Sequence, residues 1–341
     1  MNKCLVFFKN IRLSWINSTV SKRFFISVAI ISFFIFLIGF GLVFIDTIGG
    51  FDTYAILKYR LPRMPLLIIM GVGTPLSALL IQKITRNNLA DAGLIGISHS
   101  GVFALSIISI YAPSIINPIN NTLTISLITP LIIGVSAFIT MIMLYVLSIK
   151  QGVSPERVIL MGIGLHIFFS GAATLVVFFN NGYEISFFTR YLMGFIEKKP
   201  VLLWIVSATI IVCVIIFTWI IGKKLDILES DENMARSVGI RVELLKFVVF
   251  VVVALAIGAT VSSVGSVALL GLFVPNIARS LVGSKTRSLL IVSSLFGIMF
   301  VFLAQFINVN WSHVSAPIGI LLQILIAPYF IYKIFKRSNN V

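Results

Sequence analysis

The sequence predicts an all-α polytopic membrane protein with about ten transmembrane helices and both termini in the cytoplasm. Three observations support this prediction: the composition, the spacing of the apolar runs and the distribution of basic residues. Of the 341 residues, 59% are hydrophobic and only 11% are charged. Soluble domains carry about 25% charged residues. One water-soluble core cannot bury so many apolar side chains, which indicates a membrane protein.

The apolar runs have the length that a membrane requires, since a spanning helix needs about 20 mostly apolar residues. The first run follows a basic tail and has no small-residue cleavage site, which indicates a retained helix rather than a signal peptide. The eighth is short and contains Pro275, and the stretch "TVSSVGSV" before it predicts a tight turn. The ten predicted spans are 24–45, 64–82, 93–112, 122–149, 156–180, 201–222, 244–263, 266–281, 288–308 and 317–335.

The basic residues set the predicted orientation. With the N-terminus inside, twenty of the 26 Lys and Arg residues fall on the cytoplasmic side, which agrees with the positive-inside rule. The net charge of +15 is therefore interpreted as topology and attraction to anionic lipid, not as nucleic-acid binding. The predicted organisation is a cytoplasmic basic tail (1–23), a single transmembrane domain (24–335, with a charged loop at 226–243) and a short cytoplasmic tail (336–341).

The sequence argues against an enzyme and against a carrier driven by an ion gradient. The two cysteines, Cys4 and Cys213, predict neither a disulfide nor a metal site. The motifs of nucleotide, ester and zinc-dependent peptide hydrolysis are absent. No Asp, Glu, Lys or Arg lies in the middle of a predicted span, where coupled carriers usually keep one. Energy is therefore expected from outside the membrane, with no cofactor bound by this chain.

The most charged stretch, residues 226–243, predicts a two-turn helix on the cytoplasmic surface. Ser230 is the expected N-cap, the two acidic residues after it suit the first turn, and Gly239 suits the C-terminal cap. Met234 and Val238 are four residues apart and give the helix one apolar side. So short a helix needs a surface to lie on. That surface is either the inner face of this chain or a cleft on a partner.

Five segments resemble one family. They are "RLPR" (60–63), "RNNLADAGLIGIS" (86–98), "ENMARSVGI" (232–240), "GLFVPNIARSLVG" (271–283) and, more weakly, "PIGILLQILIAPYFIY" (317–332). In this order they resemble the FecCD-type permeases, the membrane subunits of ABC importers for iron–siderophore complexes, haem and cobalamin.

The resemblance implies an assembly in the bacterial cytoplasmic membrane. Ten helices per subunit, two permease subunits (a homodimer or a related heterodimer) and two cytoplasmic ATPases that use ATP and Mg are expected, together with an extracytoplasmic substrate-binding lipoprotein. The fifth and tenth helices would line the pathway. The implied substrate is a ferric siderophore, with haem or cobalamin as the alternative. From other classes, an ATPase-independent secondary carrier or channel, or a structural scaffold, also stays open.

The resemblance also implies roles for particular residues. The expected roles are docking of the binding protein by Arg60 and Arg63, coupling to the ATPase by Glu232, Met234, Ala235, Arg236, Val238 and Gly239, and closure of a cytoplasmic gate by Asn87, Leu89 and the inner loop around Ser154. The alternative for the two arginines is contact with outer-leaflet phosphates.

Three positions depart from the family pattern. Asn88 replaces the usual Pro, which restores a backbone donor in that turn. Asn276 replaces the usual His. His313 is the nearest substitute for a basic residue that the last outer loop lacks.

Overall fold

The computed structural model describes residues 24–42, 60–91, 93–111, 128–148, 155–179, 193–196, 199–267, 269–311 and 316–338. Within these ranges the chain is helical and contains no strand, as the sequence predicts. The helices are α1 (Phe24–Leu42), α2 (Met64–Thr85), α3 (Ile97–Tyr111), α4 (Thr129–Ser148), α5 (Pro155–Phe179), α6 (Val201–Ser230), α7 (Glu232–Ser237), α8 (Val242–Val264), α9 (Leu270–Val282), α10 (Thr286–Trp311) and α11 (Ile318–Ser338), with 3₁₀ turns at Leu61–Arg63 and Gly93–Ile95.

Seven of the described helices are long and apolar enough to cross a membrane: α1, α2, α4, α5, α6, α8 and α10. Shorter apolar helices lie at Ile97–Ile108, Leu270–Val282 and Ile318–Pro328. At 1.5 Å per residue, the 13 residues of α9 extend about 20 Å, less than the roughly 30 Å of a bilayer core. The multi-pass character of the chain is thus confirmed, whereas the number of ten spans and the cytoplasmic termini stay predictions.

Helix α2 lies at the centre of the bundle. It packs against α6, α8, α9 and α10, and 83% of its most apolar 18-residue window is buried, against 17% for α1. On one side of this centre α3, α4 and α5 pack together and reach α8, and on the other side α9, α10 and α11 pack together. The peripheral helices therefore keep wide apolar faces exposed.

Two glycines allow α2 and α10 to cross with their backbones in contact. A Cβ atom at Gly71 would lie 2.7 Å from the backbone N of Ile298, and a Cβ at Gly297 would overlap the carbonyl of Gly71. Small residues at a crossing let helix backbones approach in this way. The two helices are therefore held together at the middle of the bundle.

Helix α6 extends beyond its predicted end at residue 222, as far as Ser230. The added residues, KKLDILES, include Lys, Leu and Glu, which favour the helical conformation, so the end of the apolar run does not end the helix. The first five residues of the predicted loop 226–243 thus belong to α6. Their charged side chains project from the end of a membrane helix.

Candidate functional site

Ion pairs of the described residues gather where α2, α6 and α9 end and α8 and α10 begin. We call this end of the bundle the inner end. Helix α7 lies there. Its N-cap is Asp231, whose side chain accepts a hydrogen bond of 2.7 Å from the backbone N–H of Asn233. The prediction of Ser230 as N-cap is wrong, because Ser230 is still in α6 and donates to the carbonyl of Asp226.

The C-terminal cap of α7 is the predicted glycine. Gly239 has φ +82°, its N–H donates to the carbonyl of Arg236, and the N–H of Ile240 donates to the carbonyl of Ala235. These two bonds form a Schellman motif, in which glycine takes the left-handed position at no steric cost. The turn therefore sets the direction in which the chain enters α8.

The predicted coupling residues lie on different sides of α7. Ala235 is fully buried against the bundle, whereas Met234 and Val238 are 55% and 56% exposed. The helix thus lies on its own chain through Ala235 and presents its apolar pair outward. The sequence left two surfaces open for α7, the inner face of its own chain and a cleft on a partner. The buried side of α7 is consistent with the first and its exposed side with the second.

A partly exposed ion network, the Glu232 cluster, holds α7 in place. Glu232 Oε2 lies 3.1 Å from Arg86 and 3.0 Å from Lys246 Nζ, and its Oε1 lies 2.9 Å from Arg236, which also pairs with Glu243 at 3.0 Å. Burial alone would raise the pKa of Glu232. Its hydrogen bonds from Arg236 and Lys246 and the nearby charge of Arg86 outweigh that effect and lower the pKa. Glu232 is therefore ionised at neutral pH.

A second, more buried network, the Lys83 cluster, joins the ends of α2, α6, α9 and α10. The fully buried Lys83 pairs with Asp226 at 3.1 Å and with Glu229, and donates to the carbonyl of Ser284. Arg279 of α9 pairs with Glu229 at 3.0 Å. Asp226 also accepts bonds from the backbone N–H and the hydroxyl of Thr286, the first residue of α10. Four helices thus meet in one set of charge-assisted bonds.

The segment 86–91, which contains the predicted gate residues, lies between the two clusters. Arg86 ends α2 in the left-handed conformation, with φ 51°. Asn87 then forms a turn: its side chain accepts from the N–H of Leu89 at 2.8 Å, and its carbonyl accepts from the N–H of Ala90. Leu89 is 55% exposed. Ser154, the other predicted gate residue, lies outside the described residues.

The two family departures at the inner end contact each other. Asn276 donates to the carbonyl of Asn88 at 2.7 Å, and the side chain of Asn88 accepts from Arg279. The turn at 86–91 is therefore tied to α9 through residues that differ from the family pattern. His313, the third departure, lies outside the described residues.

At the other end of the bundle, Arg60 and Arg63 lie in and beside the 3₁₀ turn that precedes α2 and are partly exposed. Arg63 lines a small cavity of about 110 Å³ together with Gln305 and Asn308 of α10. Its Nε and the side-chain oxygen of Gln305 are buried without a hydrogen-bond partner among the described residues. Arg63 is thus half enclosed rather than fully presented outward.

Sequence reasoning missed the residues that hold the inner end together: Lys83, Asp226, Glu229, Lys246 and Arg279. Lys83 is separated from its partners Asp226 and Glu229 by 143 and 146 residues. The only signal in the sequence is the presence of both charge signs at several predicted cytoplasmic helix ends. That signal does not say which charges pair.

The profile of the FecCD transport family matches residues 20–336. The chain belongs to the FecCD transport family. The iron-uptake system permease protein FeuC of Bacillus subtilis (strain 168) is 31% identical over 303 residues, 84% of this chain and 86% of FeuC. The iron(3+)-hydroxamate import system permease protein FhuG of the same organism is 26% identical over 289 residues, 84% of this chain and 85% of FhuG. Other curated relatives are named as permeases for hemin and vitamin B12.

A solved structure of an ABC transporter assigned to the metal-chelate type, in an inward-facing conformation, shares the fold with this FecCD chain. The TM-score is 0.79 at 20% identity, and the alignment covers 92% of this chain and 99% of that one. The family match and the identity to FeuC confirm the resemblance stated from the motifs. This FecCD protein is a multi-pass protein of the bacterial cell membrane and a transport subunit rather than an enzyme, as predicted.

Proposed function

We propose that this chain is one permease subunit of a binding-protein-dependent ABC importer that moves ferric siderophores inward. The proposed assembly contains a second permease subunit, two ATPases that use ATP and Mg, and a substrate-binding lipoprotein outside. Each permease has ten spans and cytoplasmic termini. The single observation that carries the proposal is the two-sided arrangement of α7, a short helix bonded to its own bundle on one side and apolar and exposed on the other.

The outward side of α7 supports a docking role. Met234 and Val238 are both more than half exposed, although α7 lies outside the apolar spans. Short amphipathic helices insert their apolar face into a groove on a partner, with anchors four residues apart. We assign this pair to a cleft on the ATPase, with Glu232, Ala235, Arg236 and Gly239 holding the helix in the required position.

The inward side of α7 supports transmission to the gate. Glu232 bonds directly to Arg86, the residue that begins the turn containing Asn87 and Leu89. A displacement of α7 therefore moves or releases this turn without an intermediate residue. We propose that Asn87 and Leu89, with the loop around Ser154, close the cytoplasmic end of the pathway, which alternates its access as α7 moves.

The outer end is proposed to receive the binding protein through Arg60 and Arg63. Complementary charges across such an interface raise the association rate of the two proteins. Added salt screens the charges and reduces this gain. Replacing Arg60 with Glu should weaken docking most at low salt, whereas replacing Lys199, another basic residue of the predicted outer surface, should not. Equal docking by both variants in a surface plasmon resonance titration would return Arg60 to contact with lipid phosphates.

The proposed substrate rests on the relatives. The permeases FeuC and FhuG are named for iron uptake and iron(3+)-hydroxamate import. Haem is the second candidate and cobalamin the third, since relatives carry those names also. Proteoliposomes that contain the permease, its ATPase and its binding protein should take up a ferric siderophore and leave haem and cobalamin outside. Preferential uptake of either alternative would reassign the substrate and keep the importer.

A double substitution of Met234 and Val238 by Asp tests the mechanism. It should abolish ATP-dependent uptake and release the ATPase on gel filtration, because two charges cannot enter an apolar cleft. The conservative pair Met234→Leu and Val238→Ile should retain both properties. Uptake that continues with an ATPase unable to hydrolyse ATP would instead support a secondary carrier. In the described helices, however, every Asp, Glu, Lys and Arg lies within about two turns of a helix end, which does not favour a coupled carrier.

A further inference from the structure

A groove runs between α6 and α8 at the inner end, on the other side of the turn that follows α7. It has a volume of about 480 Å³ and is open to the outside of the bundle. Its walls are Phe217, Ile221 and Lys224 of α6, the turn 238–241, and Leu244, Leu245 and Val248 of α8. We call it the α6–α8 groove.

One end of the α6–α8 groove is positively charged. Lys224 and Arg241 both line it and are exposed, and neither forms an ion pair within the part of the chain that the structure describes. The nearby carboxylates already have cationic partners: Asp226 and Glu229 pair with Lys83, and Glu243 pairs with Arg236. The two cations thus face the groove with their charge uncompensated.

The rest of the α6–α8 groove is apolar and runs along the helices. Phe217 and Lys224 are seven residues apart on α6, which corresponds to about 10 Å along its axis. Leu244 and Val248 form the opposite wall, one turn apart on α8, and Leu244 is 54% exposed. Both helices are among those long and apolar enough to cross a membrane. The groove therefore suits a molecule with an anionic head and an acyl chain.

We propose that the α6–α8 groove binds an anionic phospholipid of the cytoplasmic leaflet. Its phosphodiester lies between Lys224 and Arg241, and an acyl chain lies along Phe217, Leu244 and Val248. Basic pockets between membrane helices on the cytoplasmic side bind phospholipid head groups in this way. The leaflet assignment rests on the cytoplasmic orientation in the proposed function, but the binding of the lipid itself does not.

The bound lipid has a consequence for α7. Val238 and Gly239, which directly follow α7 and form its C-terminal turn, also line the groove. A lipid in the groove contacts the Schellman turn and limits the positions that α7 can take. Anionic lipid is therefore a regulator of the contact between α7 and its partner, and not only the solvent of the spans.

The test is a comparison of phosphatidylglycerol with phosphatidylcholine as bound lipids, measured by native mass spectrometry on the full-length chain in its purified membrane assembly. The double variant Lys224→Gln, Arg241→Gln should lower the ratio of the affinities for phosphatidylglycerol and phosphatidylcholine by about thirtyfold. Each cation near an anionic head group changes the affinity about fivefold. The variant Lys223→Gln with Lys285→Gln removes two exposed cations that do not line the groove and should keep the preference. Lys224→Arg with Arg241→Lys should keep it also.

Three results would overturn the assignment. The first is equal loss in the groove variant and the matched variant, which would indicate a general charge effect. The second is displacement of phosphatidylglycerol by millimolar inorganic phosphate, which would indicate a site for the free anion. The third is binding of the lipid only after the ATPase has been removed from the assembly, which would assign the groove to a protein interface. Because the measurement needs no transport, a failed uptake assay leaves it unaffected.

Discussion

The two ion networks at the inner end use the same side-chain chemistry but differ in burial. In the Lys83 cluster, the lysine side chain has no exposed surface, and its partners Glu229 and Asp226 are 19% and 33% exposed. In the Glu232 cluster, Lys246 is only 3% exposed, but the outer pair is open to water, with Arg236 54% and Glu243 46% exposed. Removing one partner of a buried pair leaves an uncompensated charge at high cost, whereas exposed pairs contribute about 0–1 kcal/mol each.

This difference in burial suggests different roles for the two clusters. The Lys83 cluster fixes the ends of α2, α6, α9 and α10 with respect to each other, because each of these bonds is costly to break. The Glu232 cluster connects α7 to the buried Lys246 and to the partly exposed Arg86, and its outer pair of Arg236 and Glu243 is open to water. The helix proposed to receive the partner is thus attached to a firmly held set of helix ends through bonds of which only one, that of Lys246, reaches a buried cation.

The largest expected effect comes from breaking the buried network. Lys83→Met leaves Asp226 and Glu229 without their buried cation and should lower the free energy of unfolding by about 3–5 kcal/mol. A large fall in the melting temperature and in the yield of monodisperse protein would show it. Lys223→Met, the loss of an exposed lysine that has no ion pair within the described ranges and lies two turns from the end of α6, serves as the control. A melting temperature equal to that of the control would mean that the Lys83 cluster does not hold the helix ends.

A smaller effect on stability, with a larger one on function, is expected at Glu232. Glu232→Gln weakens three contacts at once and should lower ATP-dependent uptake roughly two- to thirtyfold, the range that a coupling change of 0.5–2 kcal/mol produces. The melting temperature should fall less than in Lys83→Met, because of the three cations that contact Glu232 only Lys246 is buried. Glu243→Gln removes the same charge from the edge of the cluster and should leave uptake near the wild-type rate. If both variants transport alike, Glu232 is not the link between α7 and the gate.

The smallest expected effect is the pH dependence of the Glu232 cluster. The pKa of Glu232 lies below the ordinary value of 4.5 in the folded chain, so its stabilising contribution is fully present above about pH 4.5. It is lost as the pH falls through the lowered pKa. The difference in melting temperature between the wild type and Glu232→Gln should therefore be constant from pH 7 to 5 and shrink on further acidification. A difference that grows with acidification would contradict the assigned direction.

Much of the fold could be predicted because the length of an apolar run and the backbone conformation that glycine allows are local properties. The predicted runs 64–82 and 288–308 correspond to α2 and α10, and Gly239 caps α7 as expected. The N-cap was placed one residue early, because Ser230 and Asp231 are both good caps and the choice depends on how far α6 continues.

The pairing at the candidate site could not be predicted, because it depends on which helix ends meet in space. Lys83 looks like an ordinary positive-inside residue in the sequence, yet it is the most enclosed charge of the inner end. Likewise, nothing in the sequence distinguishes Lys224 from Lys223. Only the neighbouring helices decide that one of them lines a groove.

The crossing of α2 and α10 at Gly71 and Gly297 has a mechanical consequence. Both helices begin or end in the Lys83 cluster, and at the opposite end α10 lines the cavity beside Arg63, the residue just before α2. With 26 residues, α10 is about 39 Å long, and it is clamped to α2 near its middle. We expect the pair to tilt as one unit, so that a displacement of the end beside Arg63 would also displace the helix ends in the Lys83 cluster.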